Sequence, residues 1–396
     1  MIKIKYAENT CGDQKTVDLS GYSFFMTENI RRIHQMAARY ASSDLVELKA
    51  LAAGIGVQTI LVKDESTRFG LKAFKGLGGI YAMFRIICRE LGLNPETATL
   101  GMLQEDPYQK QIQKMTFITT TDGNHGKGVS WAAGVFGCKA YVYMPKGTVQ
   151  VRAQAIQEAG NAEVTVTDML YDDCVAYTRS LAEQNGWFLI QDTSWEGYEE
   201  IPTWIMQGYT TLYYEALEQM HAFGYAQPTH IFLQAGVGSM AGAIAAASCV
   251  SQENKPIIVT VEPDEVACFY ESFLAGDGNP HSSTGNNQTE MAGLNCATPC
   301  TIAWEILKET AAGGIACPDE VTEIGMRRLG HPVESDRSVI SGESGAVTTG
   351  LLEVLMTEPS CKTIREKLQL DRSSVVLLIS TEGDTDPDHY KEILLL

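Results

Sequence analysis

Short apolar runs alternate with amphipathic stretches along this chain. Residues 59–63 form a run bounded by polar residues and predict a buried strand. Over 72–90 the period changes. Phe74, Leu77, Ile80, Tyr81, Phe84 and Ile87 recur at helical spacing, which predicts one helix with a core-facing stripe. The same alternation continues. Strands are predicted at 115–120, 140–144, 163–167, 187–191, 229–234, 256–262 and 375–380. Helices are predicted at 128–136, 151–159, 172–185 and 240–249, with Gly160 and Gly186 as stops for two of them. Alternating strand and helix with short turns implies an α/β fold with doubly wound, mostly parallel sheets. Ligands in such sheets bind beyond the carboxyl ends of the strands. Four polar or glycine-rich turns, at 121–126, 192–198, 235–239 and 380–386, follow predicted strands, so all four are candidate site segments. Residues 93–114 are polar and predict a surface insertion, and 272–290 predict a mobile loop.

Composition narrows the class. The chain has 396 residues, enough for two lobes, with 44% hydrophobic and 20% charged residues, as in an ordinary globular protein. Its net charge of −19, without a basic run, argues against nucleic acid as a partner. The N-terminal residues 1–8 lack an apolar signal-peptide core, and no stretch is apolar enough for a membrane helix, so a cytoplasmic location is expected. The ten cysteines read as free thiols. Cys296 and Cys300 lack a matching Cys or His pair for a zinc site, and no metal is expected.

Lys75 lies among small and apolar neighbours, Ala73, Phe74, Gly76 and Leu77. A desolvated lysine loses its proton more easily and can attack an aldehyde. Taken alone it also reads as an ordinary helix lysine. The turn Thr121-Asp122-Gly123-Asn124-His125-Gly126 is equally a polar pocket or a helix cap. The loop Gly236-Val237-Gly238-Ser239-Met240 sits between a strand and a helix, a setting that suits phosphate because the helix N-terminus offers free N–H groups. Glu262, at the end of the next strand, keeps a dinucleotide-binding oxidoreductase open. Ser380 ends the last strand, where a hydroxyl can meet a heterocyclic nitrogen.

Together these segments resemble the fold-type II pyridoxal-phosphate enzymes, the tryptophan synthase β family. More narrowly, they resemble its 2,3-diaminopropionate ammonia-lyases. The resemblance rests on Ala73-Phe74-Lys75, 61–66, 68–71, 119–126, 143–147, 191–193, 195–198, 201–209, 340–346 and 379–386, and so covers most of the chain. It implies a large cofactor domain made of 1–88 and 200–396, a smaller mobile domain at 89–199, and a homodimer. It implies that Lys75 binds pyridoxal 5′-phosphate as a Schiff base and that Asn124 bonds the cofactor's 3′ oxygen. Gly236, Val237, Gly238, Ser239 and Met240 are implied to hold the phosphate, and Ser380 to face the ring nitrogen. A neutral hydroxyl there makes the ring a weaker electron sink and favours prompt loss of a β-leaving group. Thr121, Asn124 and His125 are implied to hold a substrate carboxylate.

Asp122 departs from related dehydratases, which carry a small residue there. A carboxylate beside a carboxylate-binding site is electrostatically costly. It fits if the substrate also brings a β-ammonium group or if Asp122 accepts the α-proton. Asp192, at the end of another strand, is the second candidate carboxylate, or a turn cap. The implied activity is a carbon–nitrogen lyase reaction converting D- and L-2,3-diaminopropionate through aminoacrylate to pyruvate and two ammonia. Lys75 would serve as base for the L isomer and Asp122 for the D isomer. The alternatives are a serine or threonine dehydratase of the same fold, a catalytically silent cofactor carrier or amino-acid sensor, and the nicotinamide oxidoreductase.

Overall fold

The computed structural model describes residues 2–11, 17–252 and 254–395. Two compact units share the chain. The first comprises 1–24, 42–67 and 212–396, and the second 25–41 and 68–211.

The first unit is built on a seven-stranded sheet. Its strands are β1 (Lys5–Glu8), β2 (Leu45–Glu47), β3 (Thr59–Asp64), β8 (His230–Gln234), β9 (Ile257–Pro263), β10 (Gly313–Cys317) and β11 (Val375–Ser380). The order is β1-β10-β9-β8-β11-β3-β2. The five inner strands are parallel, and β1 and β2 add antiparallel edges. The inner strands are buried on both faces, which is why they read as apolar runs rather than alternations. On one face Val62, Phe232, Val261, Ile315 and Leu378 pack with Val347, Leu351 and Leu355 of the helix Glu343–Thr357.

The second unit holds a four-stranded parallel sheet of β4 (Thr116–Thr120), β5 (Lys139–Met144), β6 (Ala162–Val166) and β7 (Phe188–Leu189), in the order β6-β5-β4-β7. Val142 and Met144 pack on Ala153 and Ile156 of one helix, and Ile118 and Leu189 pack with Ala182 of another. Both sheets are therefore mostly parallel α/β layers, as the alternation predicts. The four candidate turns all follow the carboxyl ends of β4, β7, β8 and β11.

Several boundaries differ from expectation. The helix predicted over 72–90 begins at Gly76, because Lys72 has φ 56° and breaks the helical path. Lys75 is therefore the residue before the first turn, not an interior helix residue. The units also divide at other residues than 88/89 and 199/200. The helix Gly76–Glu90 belongs to the second unit, together with the helix Asn124–Phe136. These two helices cross on bare backbone: a Cβ on Gly128 would stand 3.0 Å from the Lys75 carbonyl and the Gly76 nitrogen. The insertion at 93–114 is not simply surface, since Leu100, Leu103 and Ile112 of its two short helices are buried.

Candidate active site

In the second unit, four sequence-predicted residues lie in one polar cluster: Lys75, Asp122, His125 and Asp192. Lys75 Nζ donates to Asp192 Oδ2 in a short ion pair, with the lysine side chain 20% exposed and the aspartate 5%. Asp192 owes its position to Gln191. The Gln191 Oε1 accepts from the Thr120 amide at 3.1 Å, and its Nε2 donates to the Thr120 carbonyl at 3.2 Å. The Tyr198 hydroxyl accepts from the Gln191 amide at 2.9 Å and donates to the Leu189 carbonyl at 3.0 Å. The segment carrying Asp192 is thus laced to the strand that carries the 121–126 turn. Such support holds a reacting group in one orientation.

The turn has its own support. Thr121 Oγ1 accepts from the amides of Gly123 at 2.9 Å and Gly126 at 3.1 Å. Its oxygen therefore shapes the turn. Asn124 opens the helix Asn124–Phe136 and is half-buried. His125 is buried, and its Nε2 lies 2.8 Å from the Ile190 carbonyl. A carbonyl only accepts, so Nε2 carries the proton. Burial holds the ring below the ordinary histidine range, against the opposing pull of Asp192, so it is neutral at pH 7. His125 Nδ1 is then a lone pair, 3.7 Å from Asp192 Oδ2. The Nδ1 lone pair of His125 thus faces the Asp192 carboxylate.

The two aspartates are tuned in opposite directions. Burial pushes the Asp122 carboxyl up to about 7, and neighbouring Asp192 adds to this, although Arg152 and Lys75 pull it down. Burial also acts on Asp192, but the charges of His125 and Lys75 outweigh it and hold that carboxyl at about 2. When the His125 ring is protonated it adds to this pull; when it is neutral, the Lys75 ammonium bonded to Oδ2 keeps the carboxyl ionised. One carboxyl is thus poised to exchange a proton near neutrality, and the other is a permanent anion. Arg152 had no sequence signal. It enters because the helix Gln150–Ala159 places its Cδ 3.7 Å from where a Gly123 Cβ would stand.

In the first unit, the loop 236–240 joins β8 to the helix Ser239–Ser251. Gly238 has φ 88°, which favours glycine, and a Cβ on Gly236 would come 3.0 Å from the Gly293 carbonyl. The loop is a bare-backbone cradle at a helix N-terminus, whose first amides have no intrahelical acceptor. These residues fit a phosphate-bearing cofactor. Ser380 ends β11 fully buried, and its Oγ donates to Ser341 Oγ at 2.8 Å. Ser341 was missed as a site residue, although it lies in the 340–346 segment. Gln234 Nε2 donates to the Ile379 carbonyl at 2.7 Å, tying the end of β8 to the end of β11.

Glu262 does not bind a ribose. It is fully buried and accepts from the amides of Phe269 at 2.9 Å and Tyr270 at 2.7 Å, capping the helix Cys268–Ala275. Burial pushes its carboxyl up to about 8 even against those two amides. The dinucleotide reading loses its acidic residue to a helix cap. All ten cysteines are free thiols. Among the described residues, no helix is long and apolar enough to cross a membrane.

The chain belongs to the pyridoxal-phosphate dependent enzyme family, whose profile matches residues 38–381. Among curated proteins it is 47% identical to the diaminopropionate ammonia-lyase of Escherichia coli K12 over 99% of this chain and 96% of that one. It also resembles two solved structures of the Escherichia coli enzyme. One, in complex with an aminoacrylate-PLP azomethine reaction intermediate, has a TM-score of 0.90 and 46% identity, covering 100% of this chain and 97% of the other. The second, in complex with D-serine, has a TM-score of 0.92 and 46% identity over 99% and 97%.

Proposed function

We propose that this chain is a pyridoxal-phosphate-dependent lyase acting on 2,3-diaminopropionate. Diaminopropionate and water become pyruvate and two ammonia. The observation that carries the reading is the pair of oppositely tuned aspartates beside Lys75, Asp122 near 7 and Asp192 near 2. A substrate bearing one carboxylate and two amines needs both a fixed anion and a titrating base.

Bound pyridoxal phosphate supplies the electron sink that acidifies the α-carbon. Lys75 would bind its aldehyde carbon, the 236–240 amides its phosphate, Asn124 its 3′ oxygen and Ser380 its ring nitrogen. The Thr121 hydroxyl, Asn124 and the His125 amide receive the substrate carboxylate. Lys75, uncharged once it has handed over the cofactor, takes the α-proton of the L isomer. Asp122 takes that of the D isomer. The working form is proposed as a cytoplasmic homodimer, the state that the family resemblance implies.

The test is a visible spectrum of the purified protein before and after D- and L-diaminopropionate, with pyruvate measured. More pyruvate from both isomers than pyruvate from serine or 2-oxobutanoate from threonine supports the reading; a preference for either hydroxy amino acid favours a dehydratase. Asp122→Asn should lose D-isomer turnover by roughly 10²- to 10⁴-fold, the usual worth of a general base, and L-isomer turnover far less. Equal losses would end the division of labour between Asp122 and Lys75.

A further inference from the structure

The cluster around Asp192 contains two polar atoms that the assignments above leave unused. His125 Nδ1 and the Tyr209 hydroxyl are buried without a hydrogen-bond partner, in residues 3% and 1% exposed. Buried polar atoms without partners are rare and destabilising, and mark places that a ligand or water fills. Both belong to the Asp192 neighbourhood. His125 Nδ1 is 3.7 Å from Asp192 Oδ2. Tyr209 packs its ring at 4.8 Å on Phe74, the residue before Lys75, and the charge of Asp192 reaches its hydroxyl. Gly78, on the first turn after Lys75, meets the same ring: a Cβ there would be 2.6 Å from Tyr209 Cε1.

The cluster therefore offers three acceptors: a carboxylate oxygen, an imidazole lone pair and a phenol oxygen. A primary ammonium group has three N–H donors and a positive charge; a hydroxyl has one donor and no charge. In this structure the Lys75 ammonium already bonds the carboxylate. When the substrate takes the cofactor from Lys75, the lysine is released as a neutral amine, and no lysine ammonium then stands beside Asp192.

We propose that Tyr209, His125 and Asp192 form the receiving site for the β-ammonium group of the substrate, and that Tyr209 and His125 set the preference for an amine leaving group. This rests on the diaminopropionate reading. In the elimination, the base takes the α-proton, and the Cα–H electron pair becomes the Cα=Cβ bond. The Cβ–N bond breaks with its pair on nitrogen. The β-ammonium leaves as neutral ammonia, so no proton donor is needed. A hydroxyl would have to be protonated to leave well. Asp192 is ionised, His125 is neutral, and burial holds the Tyr209 phenol far above its ordinary range, so none is an adequate acid.

The test compares holoenzymes of the wild type, Tyr209→Phe and His125→Gln on L-2,3-diaminopropionate and on β-chloro-L-alanine, whose chloride leaves without an N–H contact. Each variant should lose roughly ten- to a hundred-fold in kcat/KM on diaminopropionate, the worth of a hydrogen bond to a charged group. On β-chloroalanine each should stay within about threefold. Tyr209→Phe should also melt no lower than wild type, because it removes only an unpartnered hydroxyl. Equal losses on both substrates, or no loss on either, overturn the proposal. A wild type that turns over β-chloroalanine but makes no pyruvate from diaminopropionate overturns the underlying reading instead.

Discussion

Two of the lysine–carboxylate pairs in this molecule, one from each unit, do opposite things. In the first unit, Lys63 of β3 meets Glu215 at 2.9 Å, with both side chains fully buried. Lys63 Nζ also donates to the Ser43 carbonyl at 2.6 Å and to Gln219 Oε1 at 2.9 Å. Three acceptors saturate its three donors. In the second unit, Lys75 pairs with Asp192 but remains 20% exposed, just before a helix and among a neutral histidine and a second, titrating aspartate. A saturated, dry ammonium has no reason to give up its proton or its place. A partly exposed one, held by a carboxylate that can accept another cation, can leave to do chemistry. The difference lies in what surrounds the pair, since each is a lysine ammonium beside a carboxylate.

The largest effect should come from removing the reactive lysine. Lys75→Ala should lower pyruvate formation by on the order of 10³-fold or more, as expected for loss of a covalent catalyst, with no comparable loss in urea stability. If Lys63→Met abolished turnover to the same degree in the folded protein, the two pairs would not be functionally distinct. Lys63→Met should instead cost about 3–5 kcal/mol of stability by removing the buried Glu215 carboxylate's lysine partner. The double variant with Glu215→Leu should recover most of that in the same urea titration.

The smallest effect separates the two aspartates beside Lys75. Asp122 must be deprotonated to take a proton, and its carboxyl lies at about 7. Turnover of the D isomer should therefore fall as pH drops below about 7, nearing tenfold per unit well below it. The ratio of D to L turnover should rise with pH across neutrality. Asp192, at about 2, contributes no inflection in that range. A D-to-L ratio that stays flat from pH 6 to 8 would remove Asp122 as the D-specific base.

Much of the fold was legible because inner parallel strands are buried on both faces and announce themselves as apolar runs. The strand at 229–234 and the glycine loop after it are examples. The edge strands were not legible. β2 is only three residues, and its pairing with β3 is antiparallel. The helix Glu200–Ala222 was also missed. It is buried on nearly every side, so it has no amphipathic stripe to reveal its period. In the site, the turn, the lysine, the phosphate loop and the terminal serine could be read, since each depends on local residue types. Tyr209, Arg152 and Ser341 could not, because their roles come from distant segments: Phe74 beside Tyr209, Gly123 beside Arg152, Ser380 beside Ser341.

By itself, the sequence determined the layered α/β architecture, the family and the short list of reactive residues. Those follow from periodicity and from local chemistry, which fold in place whatever lies beyond. Only the tertiary structure decided which lysine is locked and which is poised, which aspartate keeps its charge and which takes a proton, and that Glu262 caps a helix. These are matters of desolvation and of partners brought together from far along the chain. A carboxyl's proton affinity is set by its neighbours in space, and the sequence lists only its neighbours in order.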